Sequence, residues 1–308
     1  MNMKRFGRIR ITLLLGGIFL LLGTAGLRAQ AFIHYNAALS FVQRGEVDSA
    51  KKEIDLHMQD PASQTDPESW YLYGFVYKEM YKKYENTSAT SAYRIQAYEA
   101  FRKSLQMDTV TARTKATRDN IRYLAGRFYN DAVTTLDTVH YAVSVKCYEQ
   151  YREAAVLADP GFDIRKKDVE FYLALASTYN AIYNLDKKKN AAFFDMTRDT
   201  YMKVLSWDAN NYTANYNLGL LYWNKGVDLM YDIDYDDSLG AIFDVQDHSV
   251  DLFKQSLPFA EKAYEIEPKR EETLIVLSGI YYSLNEFEKS KDYQKMLENL
   301  RNQPPGQK

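Results

Sequence analysis

Cysteine occurs once in these 308 residues, at Cys147. A single thiol forms no intrachain disulfide, no CxxC redox pair and no zinc quartet, so packing alone must hold the chain. Histidine is almost as scarce. His34, His57, His140 and His248 share no HExxH pattern and no i, i+4 spacing, and none stands near a motif-like acid or nucleophile, which leaves a hydrolase or metalloenzyme without a basis in sequence. Seven Pro and 14 Gly are few for this length and favour long regular elements joined by few tight turns. Dense basic runs are missing too: none beyond the first thirty residues exceeds three, and Lys187-Lys188-Lys189, one of that length, reads as a solvated loop. With that absence, nucleic-acid backbone binding loses its electrostatic footing.

What the chain has in quantity is tyrosine, 26 residues beside 15 Phe, in a composition 46% hydrophobic and 26% charged. That is ample for a folded core with much ring packing. The N-terminus reads MNMKRFGRIR, then ITLLLGGIFLLLGTAG, then LRAQA. A basic start, an apolar run and small residues suited to cleavage after Ala29 or Ala31 are the three parts of a secretory signal peptide. Ile11 to Leu27 carries no charge and sits at the lower edge of a spanning length, so an uncleaved anchor is the rival reading and the one route by which the chain would touch a membrane. No Cys precedes Ala29, which excludes a lipid-modified cysteine, and Ile9 separates Arg8 from Arg10, which breaks a twin-arginine signal. Residues 1–29 thus form the leader, 30–301 the body and 302–308 a tail, QPPGQK at its end, expected to be disordered. Losing the leader removes Lys4, Arg5, Arg8, Arg10 and Arg28 and no acid, leaving a mildly acidic body.

One spacing recurs through that body. In YNLGLLYWNKG, Asn215 is followed at offsets of three, four and seven by Leu218, Gly219 and Tyr222. Trp70 with Tyr73, Gly74 and Tyr77 matches it equally well. Ile121 with Leu124, Ala125 and Phe128, Tyr172 with Leu175, Ala176 and Tyr179, and Leu274 with Leu277, Ser278 and Tyr281 follow the same offsets; His34 with Ala37, Ala38 and Phe41 is a weaker copy. Such offsets put four residues on one helical face, and the small one lets a partner helix approach closely. Each first helix is followed by a second with small and aromatic residues at helical spacing: Ala97, Phe101 and Ser104; Cys147, Tyr151 and Ala154; Thr197, Tyr201 and Val204; Ser256, Ala260 and Ala263. Ala50 with Ile54 serves the first pair and Ser290 the last. Pro61, Pro160 and Pro268 stand behind second helices as stops.

The pattern resembles the tetratricopeptide repeat, W-x2-L-G-x2-Y in its first helix. The resemblance covers nearly all of residues 31–301 and implies an all-α fold, an α-solenoid of about six stacked antiparallel helix pairs. The departure is in period: the copies are spaced by 36 to 59 residues against about 34 in the family, with the extra length inside each hairpin. Both helices of a pair are therefore expected to run on for a turn or more, giving a crest of hairpin tips.

The longest insert, near 231–251, is acidic. Asp232, Asp234 and Asp236 reproduce the first three ligand spacings of an EF-hand loop, but Asp237 stands where that loop needs Gly and Phe243 where it needs Glu, so they are weak metal candidates. The plainer reading is a solvated acidic loop or a docking patch for a basic partner. No cofactor motif is present.

A stack of helix pairs exposes its first helices on the concave side. Residues beside the aligned core positions there are Tyr71, Phe75 and Lys78; Arg122, Tyr129 and Asn130; Asn180; Tyr216, Trp223 and Asn224; Ile275 and Tyr282. Rings with an amide or charge nearby suit a peptide or protein ligand. Relatives that clamp C-terminal carboxylates use Lys and Asn in consecutive first helices; Tyr35 and Leu39 occupy the matching places in the first repeat, so that activity is not implied. The resulting expectation is a non-enzymatic scaffold or adaptor in the periplasm or cell envelope of a Gram-negative bacterium. A glycan-binding or uptake accessory using the same rings, or a cation-responsive module using the acidic insert, stays open beside it.

Overall fold

The computed structural model describes residues 32–108, 112–234, 236 and 238–302. The leader and the end of the tail lie outside them. Among the described residues there are twelve α-helices and no strand. They are α1 (32–43), α2 (Val47–His57), α3 (Pro67–Met80), α4 (Ala92–Met107), α5 (Ala112–Thr134), α6 (Tyr141–Ala158), α7 (Arg165–Leu185), α8 (Ala192–Trp207), α9 (Tyr212–Tyr231), α10 (Leu239–Ile266), α11 (Glu271–Ser283) and α12 (Phe287–Arg301). The chain divides into two compact units, the first comprising 32–135 and 142–162, the second 136–141 and 163–302. Each is an α-solenoid segment of three consecutive helix pairs with tetratricopeptide-like packing.

The repeat quartets are the core code. Ile121, Leu124, Ala125 and Phe128 are all buried, as are Tyr172, Leu175, Ala176 and Tyr179, and Leu274, Leu277, Ser278 and Tyr281. The second-helix positions Ala50, Ala97, Cys147, Thr197, Ser256 and Ser290 are buried as well. Small residues are required because backbones meet there. A Cβ on Gly219 would lie 3.1 Å from the Ala260 amide nitrogen, and the Ser256 hydroxyl donates to the Gly219 carbonyl at 2.7 Å. Asn215 fills the tryptophan position by donating its amide to the carbonyls of Ala209 and Asn211, at 3.1 and 2.9 Å.

Helix ends obey local chemistry. Asp66, Ser91 and Asn211 cap α3, α4 and α9 by accepting backbone N–H groups at 2.8–3.0 Å. Gly45, at φ +75°, turns α1 into α2, and its N–H and that of Glu46 return to the carbonyls of Val42 and Phe41. Asn285, at φ 61°, repeats the same cap between α11 and α12. The chain ahead of Pro61, Pro160 and Pro268 has left α2, α6 and α10 as expected.

The lengthened hairpins are long helices. α5, α7 and α9 have 23, 21 and 20 residues, and α3 continues through a π-turn at Tyr81–Glu85. The acidic insert departs from the loop expected of it: Ser238 caps a helix that starts at Leu239, so 239–251 belongs to α10, and only the described residues between Tyr231 and Leu239 lie outside a helix. Apolar residues at helical spacing, Leu239, Ile242 and Phe243, outweigh the turn-forming Asp, Ser and Gly around them. Among the described residues no three His, Cys, Asp or Glu side chains are arranged to hold a metal ion, and no helix is long and apolar enough to cross a membrane.

Candidate functional site

In the first unit the predicted face is built from α3 and α5. Tyr71 and Phe75 lie side by side, ring centroids 6.4 Å apart, with the Arg113 guanidinium 4.3 Å above Tyr71. Lys78 is committed internally. Its Nζ donates to Asn120 Oδ1 at 2.7 Å, pairs with Glu79 at 3.2 Å and lies 4.1 Å over the Phe75 ring. Burial holds this amine below the usual lysine range. Lys78 therefore ties the first helices of successive pairs together. Arg122 is exposed and paired with Asp119 at 2.5 Å; Asn130 is exposed, and Tyr129 is half-buried with its ring 4.9 Å from Tyr151.

The second unit gathers its candidates more tightly. Asn180 and Asn184 from α7 and Asn217 and Asn224 from α9 line one narrow cleft of about 20 Å³, together with Leu220 and Leu221. Among the described residues the side-chain amides of Asn180, Asn184 and Asn224 have no hydrogen-bond partner, while Asn217 Nδ2 donates to the Thr213 carbonyl at 2.8 Å and keeps its own oxygen free. At the rim Lys187 pairs with Asp228 at 2.5 Å. Asn184 and Asn217 were not among the predicted residues, although the signal was there: Asn184 follows Asn180 by one helical turn and Asn224 follows Asn217 by two.

Tyr216 and Trp223 take part in the packing between helix pairs. Both are partly buried against the cluster of Ala260, Val276, Leu277, Ile280 and Tyr281 that joins α10 to α11. Tyr216 stacks on Tyr212, and the Trp223 indole covers Gly279 and donates to Ser283 Oγ at 3.2 Å. Both residues keep partial exposure. Tyr282 is 63% exposed beside Phe287, and Ile275 is 45% exposed.

His57, unremarkable in sequence, joins a polar chain. Ser69 Oγ lies 2.7 Å from His57 Nε2 and 2.6 Å from Asp66 Oδ2. The carboxylate only accepts, so the one Ser69 proton goes to Asp66 and His57 must donate to Ser69. A serine nucleophile needs the opposite, a histidine that takes its proton. The chain is part of the α3 cap, beside a cavity of about 440 Å³ walled by Phe32, Tyr35 and His57.

No family model matches this chain, and no curated protein matches it in sequence. Among solved structures it is similar to PilF of Pseudomonas aeruginosa, at 13% identity over 89% of this chain and 93% of that one with a TM-score of 0.30. It is also similar to the type IV pilus biogenesis factor PilW, at 15% identity over 89% and 95% with a TM-score of 0.30. The C-terminal part of a TPR repeat-containing protein from Cytophaga hutchinsonii is a third, at 12% over 92% and 89% with a TM-score of 0.28. Scores this low say nothing of activity or partner; the tetratricopeptide-like description rests on the buried quartets and helix pairs above.

Proposed function

We propose that this chain is a non-enzymatic scaffold or adaptor that holds an extended segment of a protein partner against its first helices. The observation that carries this reading is the asparagine cleft. A primary amide offers donors and an acceptor side by side, the same pair that a peptide bond presents, and three unpaired amides from two successive first helices meet there. Tyr282, Ile275 and the partly exposed Tyr216 and Trp223 extend the surface with apolar contact. In the first unit Tyr71, Phe75, Arg122, Tyr129 and Asn130 would take part, with Lys78 as a support. The leader-like N-terminus supports a site of action in the bacterial envelope.

A photo-crosslinking residue introduced in living cells at Asn180 or Asn224, with Glu265 on the second helix α10 as control, tests it. Discrete protein adducts are expected at the first two sites and not at Glu265, and Asn184→Ala with Asn217→Ala should diminish them. Adducts equally abundant at all three positions would defeat the assignment of this face, and glycan adducts in place of protein would favour an accessory of carbohydrate uptake.

A further inference from the structure

α10 outruns its partner. Gly219 faces Ala260 and Gly226 faces Phe253 in the antiparallel pair, so Tyr231, the last residue of α9, comes level with roughly residue 248. Residues 239–247 therefore project past α9 for roughly 13 Å. Burial begins only at Ser249 and continues through Leu252, Phe253 and Ser256. On the projecting turns Leu239 is 73% and Phe243 60% exposed, one above the other at i, i+4, and at the neighbouring end of α9 Tyr231 is 86% exposed beside Met230. The helix start is a real one: Ser238 Oγ accepts the Ala241 N–H at 3.3 Å. Single exposed apolar residues are ordinary, but the four at the tips of this helix pair form a ridge that the described residues leave uncovered.

The ridge lies in a field of one sign. From Gly226 to Phe253 the sequence has eight Asp and no Lys or Arg. Lys187 and Lys188 reach Asp228 and Asp232 from the loop after α7, but among the described residues Asp244 and Asp247, on the projecting turns themselves, have no cationic partner. We infer that the projecting end of α10 is a docking ridge for a cationic amphipathic helix of another protein, whose apolar side covers Leu239, Phe243 and Tyr231 while its Lys or Arg residues face Asp244 and Asp247. Charge selects among the occupants. A second copy would set aspartates against aspartates, and an anionic lipid surface would be repelled, whereas a basic helix gains apolar burial and attraction together. This surface is on a second helix and does not depend on the asparagine cleft.

The test uses the full chain with a helical leucine–lysine peptide as probe and a leucine–glutamate peptide as its counterpart, read by fluorescence anisotropy and hydrogen exchange. The leucine–lysine peptide is expected to bind, more weakly as salt is raised, and to slow exchange of the 239–247 amides; the counterpart should not bind. Leu239→Ser with Phe243→Ser should weaken binding by about tenfold or more, and Asp244→Asn with Asp247→Asn should weaken it and flatten the salt dependence. All four residues are exposed, so both variants should keep the helicity and thermal midpoint of the parent. Binding indifferent to the serine pair would reduce the effect to general charge attraction and overturn the proposal. So would protection confined to other helices, binding to anionic vesicles, or self-association that the serine pair abolishes.

Discussion

The Trp223 indole lies against Gly279 of the following first helix, so close that a Cβ there would stand 2.3 Å from Cζ2 and 2.7 Å from Cη2. The ring cannot swing away cheaply, because its Nε1–H is tied to Ser283. Helix propensity alone would reward Gly279→Ala by about 1 kcal/mol. Overpacking should cost about 1–3 kcal/mol and win. Urea unfolding of Gly279→Ala should show a net loss in the second unit, with Trp223→Leu partly restoring it in a double-mutant cycle. A stabilised Gly279→Ala would show that the ring is free to leave.

Arg94 is fully buried between Tyr81 and Phe128, its guanidinium centred 4.5 Å from the Phe128 ring, paired with Asp131 and donating to the Ala89 carbonyl at 2.7 Å. Removing one partner of such a pair strands a charge in the core. Asp131→Ala should therefore cost about 3–5 kcal/mol, while Arg94→Met with Asp131→Leu should recover most of that loss. Denaturant melts of the three proteins check the order. A single variant that loses less than about 1 kcal/mol would mean the pair is solvated in solution.

Buried phenols set the alkaline limit. Burial pushes Tyr98 up to about 12, and it also raises Tyr77, Tyr201 and Tyr281, where a hydrogen bond to Asp55 or Glu261 adds to the effect in Tyr77 and Tyr281. A raised folded value means that the native state keeps protons that the unfolded chain has lost above about 10. Stability is thus fully present below that value and falls as pH rises toward 12. Lys78, lowered by burial, works in the opposite direction but is one group against many. Thermal midpoints should drop steeply above about pH 10, and less steeply in Tyr98→Phe. A flat profile would contradict the burial of these rings.

Cys147 is a built-in reporter for the first unit. It is 2% exposed, its Sγ–H points at the Ala89 carbonyl, and burial raises its thiol above the ordinary range. Alkylation in the native protein at neutral pH should run on the order of a hundredfold or more slower than in denaturant, because only opened molecules react. Equal rates in both states would place the thiol at the surface.

Much of the interior was legible because helical packing has a short alphabet. Offsets of three, four and seven marked Leu218, Gly219 and Tyr222 as one face, and the small residues of the second helices followed from the same geometry. The face beside it was harder to read. Asn184 and Asn217 share helical spacing with Asn180 and Asn224, yet an asparagine on a helix surface looks like any solvated side chain until another helix brings a second amide to the same cleft. Trp223 looked like a free ring for a partner, since nothing near it in the chain announces that Gly279 will pass beneath it. The acidic cluster of the insert reads as a solvated loop from a local signal, whereas α10 holds its form by joining a long buried segment.

The sequence by itself determined the all-helical class, the six helix pairs and the small residues at their crossings, because these depend on periodicity within a turn or two of one helix. Tertiary structure alone decided which side chains were consumed. Lys78 ended in a tether to Asn120, Trp223 half in the core and α10 with nine residues beyond its partner, since each outcome depends on the length and placement of a helix tens of residues away.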